Sequence, residues 1–381
     1  MNFELNEEQR AIREAIREVA EKEIAPRAAY YDQTGEFPWE NVRTLARYGY
    51  LGVTVPVEYG GAGADMVSST IIIEEVSRAC AATGTVVDVH SSLFTEPVIR
   101  FGNEEQKRRY LPDLAGGRKL GAFCLTEPQA GSDAANQKTT AVLDGDHYVL
   151  NGTKCLISNG GAADLYLVMA VTDKGKGSKG ISAFIVEKGM EGLSFGQPED
   201  KLGIRASWTS DVILEGVRVP RENLLGREGE GYKIALATLD GGRVGIAAQA
   251  VGITQAALDR CVRYAKERHQ FGQAIASFQA IQWMLAEMAT DLEAARLLTY
   301  RAAFLHDRGV RYSKEAAMAK LFASTMAMKH TVKAVQIHGG YGYTREYVVE
   351  RLMRDAKITE IYEGTSEVMK LVIAANLLGL K

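Results

Sequence analysis

The sequence predicts an α+β protein of three parts: an N-terminal helical domain over residues 1–120, a middle antiparallel β domain over 121–230, and a C-terminal helical bundle over 231–381. Three observations predict it. Apolar residues recur at three- and four-residue intervals towards both ends of the chain, as on one face of a helix. Between those regions, short β-rich runs are cut by turn dipeptides. Two long segments near the C-terminus, Gln279–His306 and Ser313–His338, contain no glycine, as uninterrupted bundle helices would require.

Taken in order, Asn6 is placed to cap a first helix with Gln9 three residues on, and Ile12, Ile16 and Val19 follow on one face. Pro26 ends that segment. Helical pattern returns in Glu40–Tyr48, Met66–Ala82, Asp88–Phe101 and Glu104–Leu114, with the glycine-rich Glu58–Gly63 as a loop. Strands are expected at His147–Leu150, Leu165–Val171, Ile181–Val186 and Val212–Leu214. Asp144-Gly145, Asn151-Gly152 and Asn159-Gly160-Gly161 mark turns. Leu239-Asp240-Gly241-Gly242-Arg243 is expected to begin a helix of the bundle, its glycines permitting close backbone approach.

Composition excludes several classes. Charged residues make up 24% and the net charge is -3, which leaves no basic excess for wrapping nucleic acid. No apolar run approaches the roughly 20 residues needed to cross a bilayer. The N-terminus, Met1-Asn2-Phe3-Glu4, leads into a helix pattern, so no signal or transit peptide is expected. Cys80, Cys124, Cys155 and Cys261 form no C-x-x-C pair and fit reduced thiols in a cytoplasm. The six histidines show no paired metal spacing, so no metal site is expected. Gly175-Lys176-Gly177-Ser178-Lys179-Gly180 spells a dinucleotide fingerprint. It lies between two strand patterns rather than before a helix, and is rejected on that ground.

The most informative stretch is Ile361-Tyr362-Glu363-Gly364-Thr365-Ser366. An apolar pair delivers one carboxylate, then glycine and two hydroxyl residues turn the chain into a last helix. Shielded from water, that carboxylate would have a raised pKa and could act as a base. The bland alternative is a solvated Glu, with Thr365 or Ser366 capping the helix. A second segment, Phe123-Cys124-Leu125-Thr126-Glu127-Pro128-Gln129-Ala130-Gly131-Ser132-Asp133, offers hydroxyls and loop amides where helices give way to strands, which suits a polar ring edge or a phosphate. Asp240 and Arg243 can meet a polar ligand or simply each other, and Arg268 offers a guanidinium suited to phosphate.

Together these segments resemble the acyl-CoA dehydrogenases, flavoenzymes that desaturate acyl-CoA thioesters, and the texture is closest to the bacterial butyryl-CoA enzymes. The resemblance covers essentially the whole chain, with the motifs in the family's order. It implies FAD as cofactor, with Glu363 taking the α-proton while the β-hydride passes to the flavin, and an electron-transferring flavoprotein as electron acceptor. It further implies that Phe123, Leu125, Thr126, Gly131 and Ser132 form the flavin loop, Thr126 bonding the ring and Ser132 lying beside the acyl-CoA. Leu156, Ile157 and Ser158 would back the ring, although the family usually has an aromatic residue where this chain has Leu156. Arg268, Phe271 and Gln279, with Gln336, Gly339 and Gly340, would meet the FAD of a neighbouring subunit in a homotetramer. Thr365 and Glu367 would complete the flavin contacts. Asp240 and Arg243 would take the adenine and ribose end of CoA, and Gly364, Val89 and Leu93 would touch the substrate.

Asp88, in Val86-Val87-Asp88-Val89-His90-Ser91-Ser92-Leu93, departs from the family, which commonly has a small hydroxyl residue there. It either caps a helix beginning at that point or places a carboxylate at the distal end of the acyl pocket. Members that act on cyclohexane- or cyclohexene-carboxyl-CoA use an Asp in this region as a base, so an alicyclic substrate is one implied reading. Trp208 would then be a flat wall for the ring. The segment Thr83–Phe94 holds no arginine, which disfavours a dicarboxylic substrate. Two rivals remain: an acyl-CoA oxidase, expected to be a longer chain, and an inactive CoA-binding scaffold.

Overall fold

A computed structural model describes residues 4–380, so Met1–Phe3 of the expected lead-in lie outside the described residues. Helix α1 (Glu7–Val19) opens the fold with the capping box expected of Asn6 and Gln9: the Gln9 amide donates to the Asn6 side chain at 2.8 Å and the Asn6 amide donates back to Gln9 at 3.1 Å. Helices α2 (Ala28–Thr34), α3 (Trp39–Arg47), α4 (Met66–Ala79), α5 (Ala81–Asp88), α6 (Glu96–Phe101) and α7 (Glu104–Ala115) complete the first layer.

One junction differs from the sequence expectation in a way that matters. The chain breaks at Cys80, which is extended (φ -155°, ψ 103°), so α5 starts at Ala81, well before Asp88. Asp88 is the last residue of α5 in ordinary helical geometry, and the chain winds on through a π turn, Val89–Thr95. No helix begins at Asp88, so it is not an N-cap.

An eight-stranded sheet comes next: β1 (Gly121–Cys124), β2 (Thr140–Asp144), β3 (His147–Ser158), β4 (Leu165–Val171), β5 (Ile181–Glu187), β6 (Leu193–Phe195), β7 (Thr209–Pro220) and β8 (Leu224–Leu225). It runs β6-β7-β3-β2-β4-β5-β8, with β1 paired to β4. Most pairings are antiparallel, but β1 and β2 both lie parallel to β4. Because β1 comes straight from the helical layer and leads into a long loop rather than a hairpin, its direction is not set by a turn. The rejected glycine motif is the connection between antiparallel β4 and β5, a strand–loop–strand unit.

Helix α8 (Gly231–Glu267) runs for 37 residues, and a two-residue hairpin leads to α9 (Gln279–Asp307), α10 (Ser313–His338), α11 (Val349–Ile358) and α12 (Ser366–Leu378). Leu239–Arg243 therefore lies inside α8 and does not begin it. The buried centre of α8, Gly241–Gly252, is rich in glycine and alanine, so α4, α5 and α10 pack close against its backbone. A Cβ on Gly252 would stand 2.2 Å from the Glu74 carbonyl oxygen on α4. Among the described residues, no helix is long and apolar enough to cross a membrane.

Replacing Gly252 by Ala adds helix propensity yet forces α4 and α8 apart. We expect Gly252→Ala to destabilise the fold by about 1–3 kcal/mol, the usual cost of overpacking, as measured by urea denaturation; an unchanged midpoint would show that α4 yields freely.

Candidate active site

Three elements converge on the last motif of the sequence. The turn between α11 and α12 holds Glu363 at φ +53° and Gly364 at φ +102°, two left-handed residues in succession. For a glutamate that conformation is costly and persists only when its surroundings impose it. They do so here. Tyr362 donates from its hydroxyl to the Gln249 side chain on α8, and Gln249 in turn donates to Thr85 at 2.7 Å and to the Ala81 carbonyl at 2.9 Å. The Ser366 amide closes the turn on the Glu360 carbonyl at 3.0 Å, and Thr365 caps α12 by accepting from the Val368 amide at 3.3 Å.

The turn aims the Glu363 carboxylate at the glycine face of α8. A Cβ on Gly242 would lie 2.0 Å from Glu363 Oε2 and 2.6 Å from the Leu93 side chain; one on Gly245 would lie 1.8 Å from Asp88 Oδ1. Two carboxylates thus occupy the room left by two absent side chains, one helical turn apart. Asp88 is fully buried and accepts from Ser92 Oγ at 2.7 Å. Asp88 Oδ2 and Glu363 Oε2 are both shut off from solvent with no hydrogen-bond partner, their carboxyls standing at glycines three residues apart on α8. Burial raises both well above the usual carboxylate range. At Glu363 the Asp88 charge adds to the rise, while Lys320 and Arg243 oppose it. Two like charges so close oppose each other, so the Asp88 charge disfavours ionisation of Glu363.

The wall beside them is apolar. Val89 and Leu93, from the π turn, pack in one cluster with Phe123 and Leu125. Arg243 is buried, bonding Asp240 at 2.7 Å and reaching the Glu363 carbonyl at 3.5 Å, and Asp240 also accepts from Ser313. Asp240 and Arg243 therefore satisfy each other beside Gly364. Trp208 does not line this space: its indole N–H donates to the Gly35 carbonyl at 3.0 Å and its ring meets Phe37 edge-on at 5.7 Å.

The second group of expected site residues sits on the loop after β1 and on β3. A buried ion pair that sequence pattern alone does not single out fixes it. Lys154 donates to Glu127 at 2.7 Å, to Gln137 at 3.0 Å and to the Leu125 carbonyl at 3.2 Å. Glu127 also accepts the Lys138 and Thr139 amides. Burial pushes the Glu127 carboxyl up, but the Lys154 charge and these hydrogen bonds outweigh it and hold it at about 2. The Thr126 carbonyl takes the Cys155 amide at 2.9 Å, which ties the loop to β3. Thr126 is half-buried, while Gly131 and Ser132 are exposed at the loop's tip. At the β3 bulge Leu156 adopts φ +56° with its side chain in solvent, flanked by buried Ile157 and half-buried Ser158.

The third group stands apart. Arg268, Gln270, Ile275, Gly339, Gly340 and Tyr341 border an open pocket of about 460 Å³. Among the described residues Arg268 makes no ion pair; its guanidinium lies over the Tyr341 ring at 5.5 Å. Phe271 is 93% exposed at φ +51°, and Gln279, Gln336 and Glu367 are also exposed. An unpaired guanidinium beside glycines with open space around them fits a dinucleotide's phosphates.

Three family descriptions cover nearly the whole chain: acyl-CoA dehydrogenase N-terminal domain over residues 6–118, middle domain over 122–217 and C-terminal domain over 229–378. The chain belongs to the acyl-CoA dehydrogenase family. This acyl-CoA dehydrogenase is an oxidoreductase with FAD as its cofactor. It is 53% identical over 377 residues to the short-chain specific acyl-CoA dehydrogenase of Clostridium acetobutylicum, across 99% of this chain and 100% of that protein. A chain solved with the electron transferring flavoprotein of Acidaminococcus fermentans, in work on flavin-based electron bifurcation, is 52% identical with a TM-score of 0.98, covering 99% of this chain and 100% of that one. Butyryl-CoA dehydrogenase from Megasphaera elsdenii is 46% identical with a TM-score of 0.98 over 99% and 100%. At greater distance, prolyl acyl carrier protein oxidase AnaB, 34% identical with a TM-score of 0.95, spans 98% of this chain and 100% of its own.

The Lys154–Glu127 pair yields a stability test. Lys154→Met leaves Glu127 buried without its cation and should cost about 3–5 kcal/mol in urea denaturation. The double variant Lys154→Met, Glu127→Gln should recover part of that loss. Because the folded Glu127 pKa is depressed, its contribution is complete above about pH 4.3, the ordinary Glu value, and is lost as pH falls towards 2. An acid-stability curve in which the wild type and the double variant fall in parallel would contradict this.

Proposed function

We propose that this acyl-CoA dehydrogenase desaturates a compact acyl-CoA thioester, short-chain, branched or alicyclic, with Glu363 as the base. Asp88 serves as a second carboxylate at the far wall of the acyl pocket. One observation carries the reading: Asp88 and Glu363 stand at neighbouring glycines of α8 with buried, unpartnered oxygens on both. A carboxylate facing a long fatty tail would lose its hydration with nothing in return. A compact ring, by contrast, presents more than one weakly acidic carbon to the two groups. When bound, FAD supplies the acceptor for the hydride equivalent leaving the β-carbon. Glu363 accepts the α-proton, and its raised pKa brings its basicity nearer that of the thioester's α-carbon. The left-handed turn fixes where that carboxylate points, and Val89, Leu93 and Phe123 keep water from it. Similarity to the short-chain and butyryl-CoA enzymes supports a small acyl group, and similarity to the chain from the electron transferring flavoprotein work supports such a flavoprotein as acceptor in the cytoplasm.

The FAD site is shared between subunits of a homotetramer in this reading. Arg268 lies 26 residues beyond Gly242 along α8, or about 39 Å at the α-helical rise. That is further than one FAD reaches from its ring to its adenine. Arg268 therefore serves the neighbour's FAD, and the exposed Phe271 and Gln279 beside it belong to that contact.

Glu363→Gln should keep FAD and acyl-CoA binding and slow anaerobic flavin reduction by about 10²-fold or more; reduction within tenfold of wild type would remove Glu363 as sole base. Asp88→Ser should depress turnover of cyclohexane-carboxyl-CoA far more than that of butyryl-CoA, and equal effects would end the alicyclic reading. Arg268→Ala should lower FAD retention and loosen the oligomer together, since bound FAD stabilises the assembly by mass action. A stable monomer that holds FAD and turns over would refute the shared site.

A further inference from the structure

Two lysines are among the largest fully buried side chains of this protein, Lys154 and Lys320. Lysine is rarely buried without a partner, and Lys154 has Glu127. Lys320, on α10, has no carboxylate within ion-pair distance among the described residues. Its ammonium donates instead to one carbonyl, that of Gly364, at 2.6 Å. Gly364 comes directly after Glu363 in the left-handed turn, and Arg243 from α8 reaches the Glu363 carbonyl itself. Cations from two different helices therefore hold successive carbonyls of the segment that carries the base.

The charges around this point balance in a specific way. Arg243 and Asp240 neutralise each other. Asp88 and Glu363 oppose each other's ionisation, and the Lys320 ammonium is the fully buried positive charge that favours ionised Glu363. Glu360 and Glu367, on the turn and α12, add weaker attraction, Arg243 repels, and Tyr362 is the remaining titratable group at the pair.

We infer that Lys320 is a positioning residue for catalysis: it pins the Gly364 carbonyl so that the turn presents Glu363, and it sets a buried positive charge beside the Asp88 and Glu363 carboxyls. The inference rests on Glu363 being the base. Burial lowers the Lys320 ammonium to about 8, the Glu363 charge opposing, so its charge disappears as pH rises through that value. Flavin reduction in the wild type should decline over the same range.

The test compares FAD-loaded wild type, Lys320→Met, Lys320→Gln and Glu363→Gln. Flavin reduction by butyryl-CoA is monitored anaerobically in a single turnover between pH 6 and 9.5, roughly two units either side of the lysine's titration. Hydrogen exchange of the Glu360–Ser366 amides is measured in parallel. Lys320→Met is expected to keep its FAD, to speed exchange in that turn but not in the Leu125–Ser132 loop, and to lose about 10²-fold in reduction rate, the scale of a misplaced reacting group. Lys320→Gln, a neutral donor, should regain much of the slow exchange and part of the rate, and both variants should lack the alkaline decline near 8. If Lys320→Met folds poorly, Lys320→Gln alone decides, because an unchanged alkaline decline in it overturns the inference. Wild-type rate and exchange in Lys320→Met overturn it as well. The two readings fail separately: Glu363→Gln retaining fast reduction removes the base, whereas its loss alongside an unaffected Lys320→Met removes only the positioning role.

Discussion

The active site depends on two side chains that are missing from α8. Glycine inside a helix costs about 1 kcal/mol relative to alanine, and α8 accepts that cost at Gly242 and Gly245. In return the backbone comes close enough to leave a slot for Glu363 and Asp88. Any side chain at either position would occupy the space of a carboxylate oxygen. Leu93 closes one side of the slot, and Asp88 Oδ2 and Glu363 Oε2 are both buried in it. In such a space charge cannot be screened, so the protonation of one carboxyl is governed by the other and by the cations packed nearby. Helix packing and acid–base chemistry are thus set by the same two positions.

The rest of the site repeats one device, a loop held by a buried ammonium. Lys154 gathers the Leu125 carbonyl, Glu127 and Gln137, so the segment between β1 and β2 is rigid at its base and open at Gly131 and Ser132. Lys320 does the same for the turn before α12. A loop built this way keeps its backbone in place while its tip stays free to meet a ligand, which is how irregular segments come to carry function on a rigid frame.

Much of this architecture is legible in the sequence. The periodic helices, the β-rich middle and the individual site segments can be read from pattern and motif. The features that escape such a reading have physical causes. The break at Cys80 has no glycine or proline to announce it, and it moves Asp88 from an expected helix start to a helix end. The start of α8 is misplaced by pattern because Gly241-Gly242 looks like a boundary. Gly242 answers instead to Glu363 from the turn before α12 and to Leu93 from the π turn, and tertiary contact overrides local propensity. Parallel β1 leads into no hairpin, so nothing local specifies its direction. Asp88 and Glu363 are each visible in the sequence, but their meeting is a property of the fold. The buried lysines are hidden because lysine on a helix or strand ordinarily points to water; the small apolar neighbours of Lys320, in Ala316-Ala317-Met318-Ala319-Lys320-Leu321, are the available signal.

A π turn contains one residue more than the α-helix it interrupts. Taking a single residue out of Val89–Thr95 would restore α-helical winding while leaving α5 and α6 in phase, because the extra residue is absorbed inside the turn. The side chains inside the turn, Ser92 beside Asp88 and Leu93 beside Gly242, are the ones that would be re-aimed. The gain or loss of one codon is therefore enough to reshape the space around Gly242 and Asp88 in this scaffold. Lineages that took it would differ here by a gap in register, with every flanking residue unchanged.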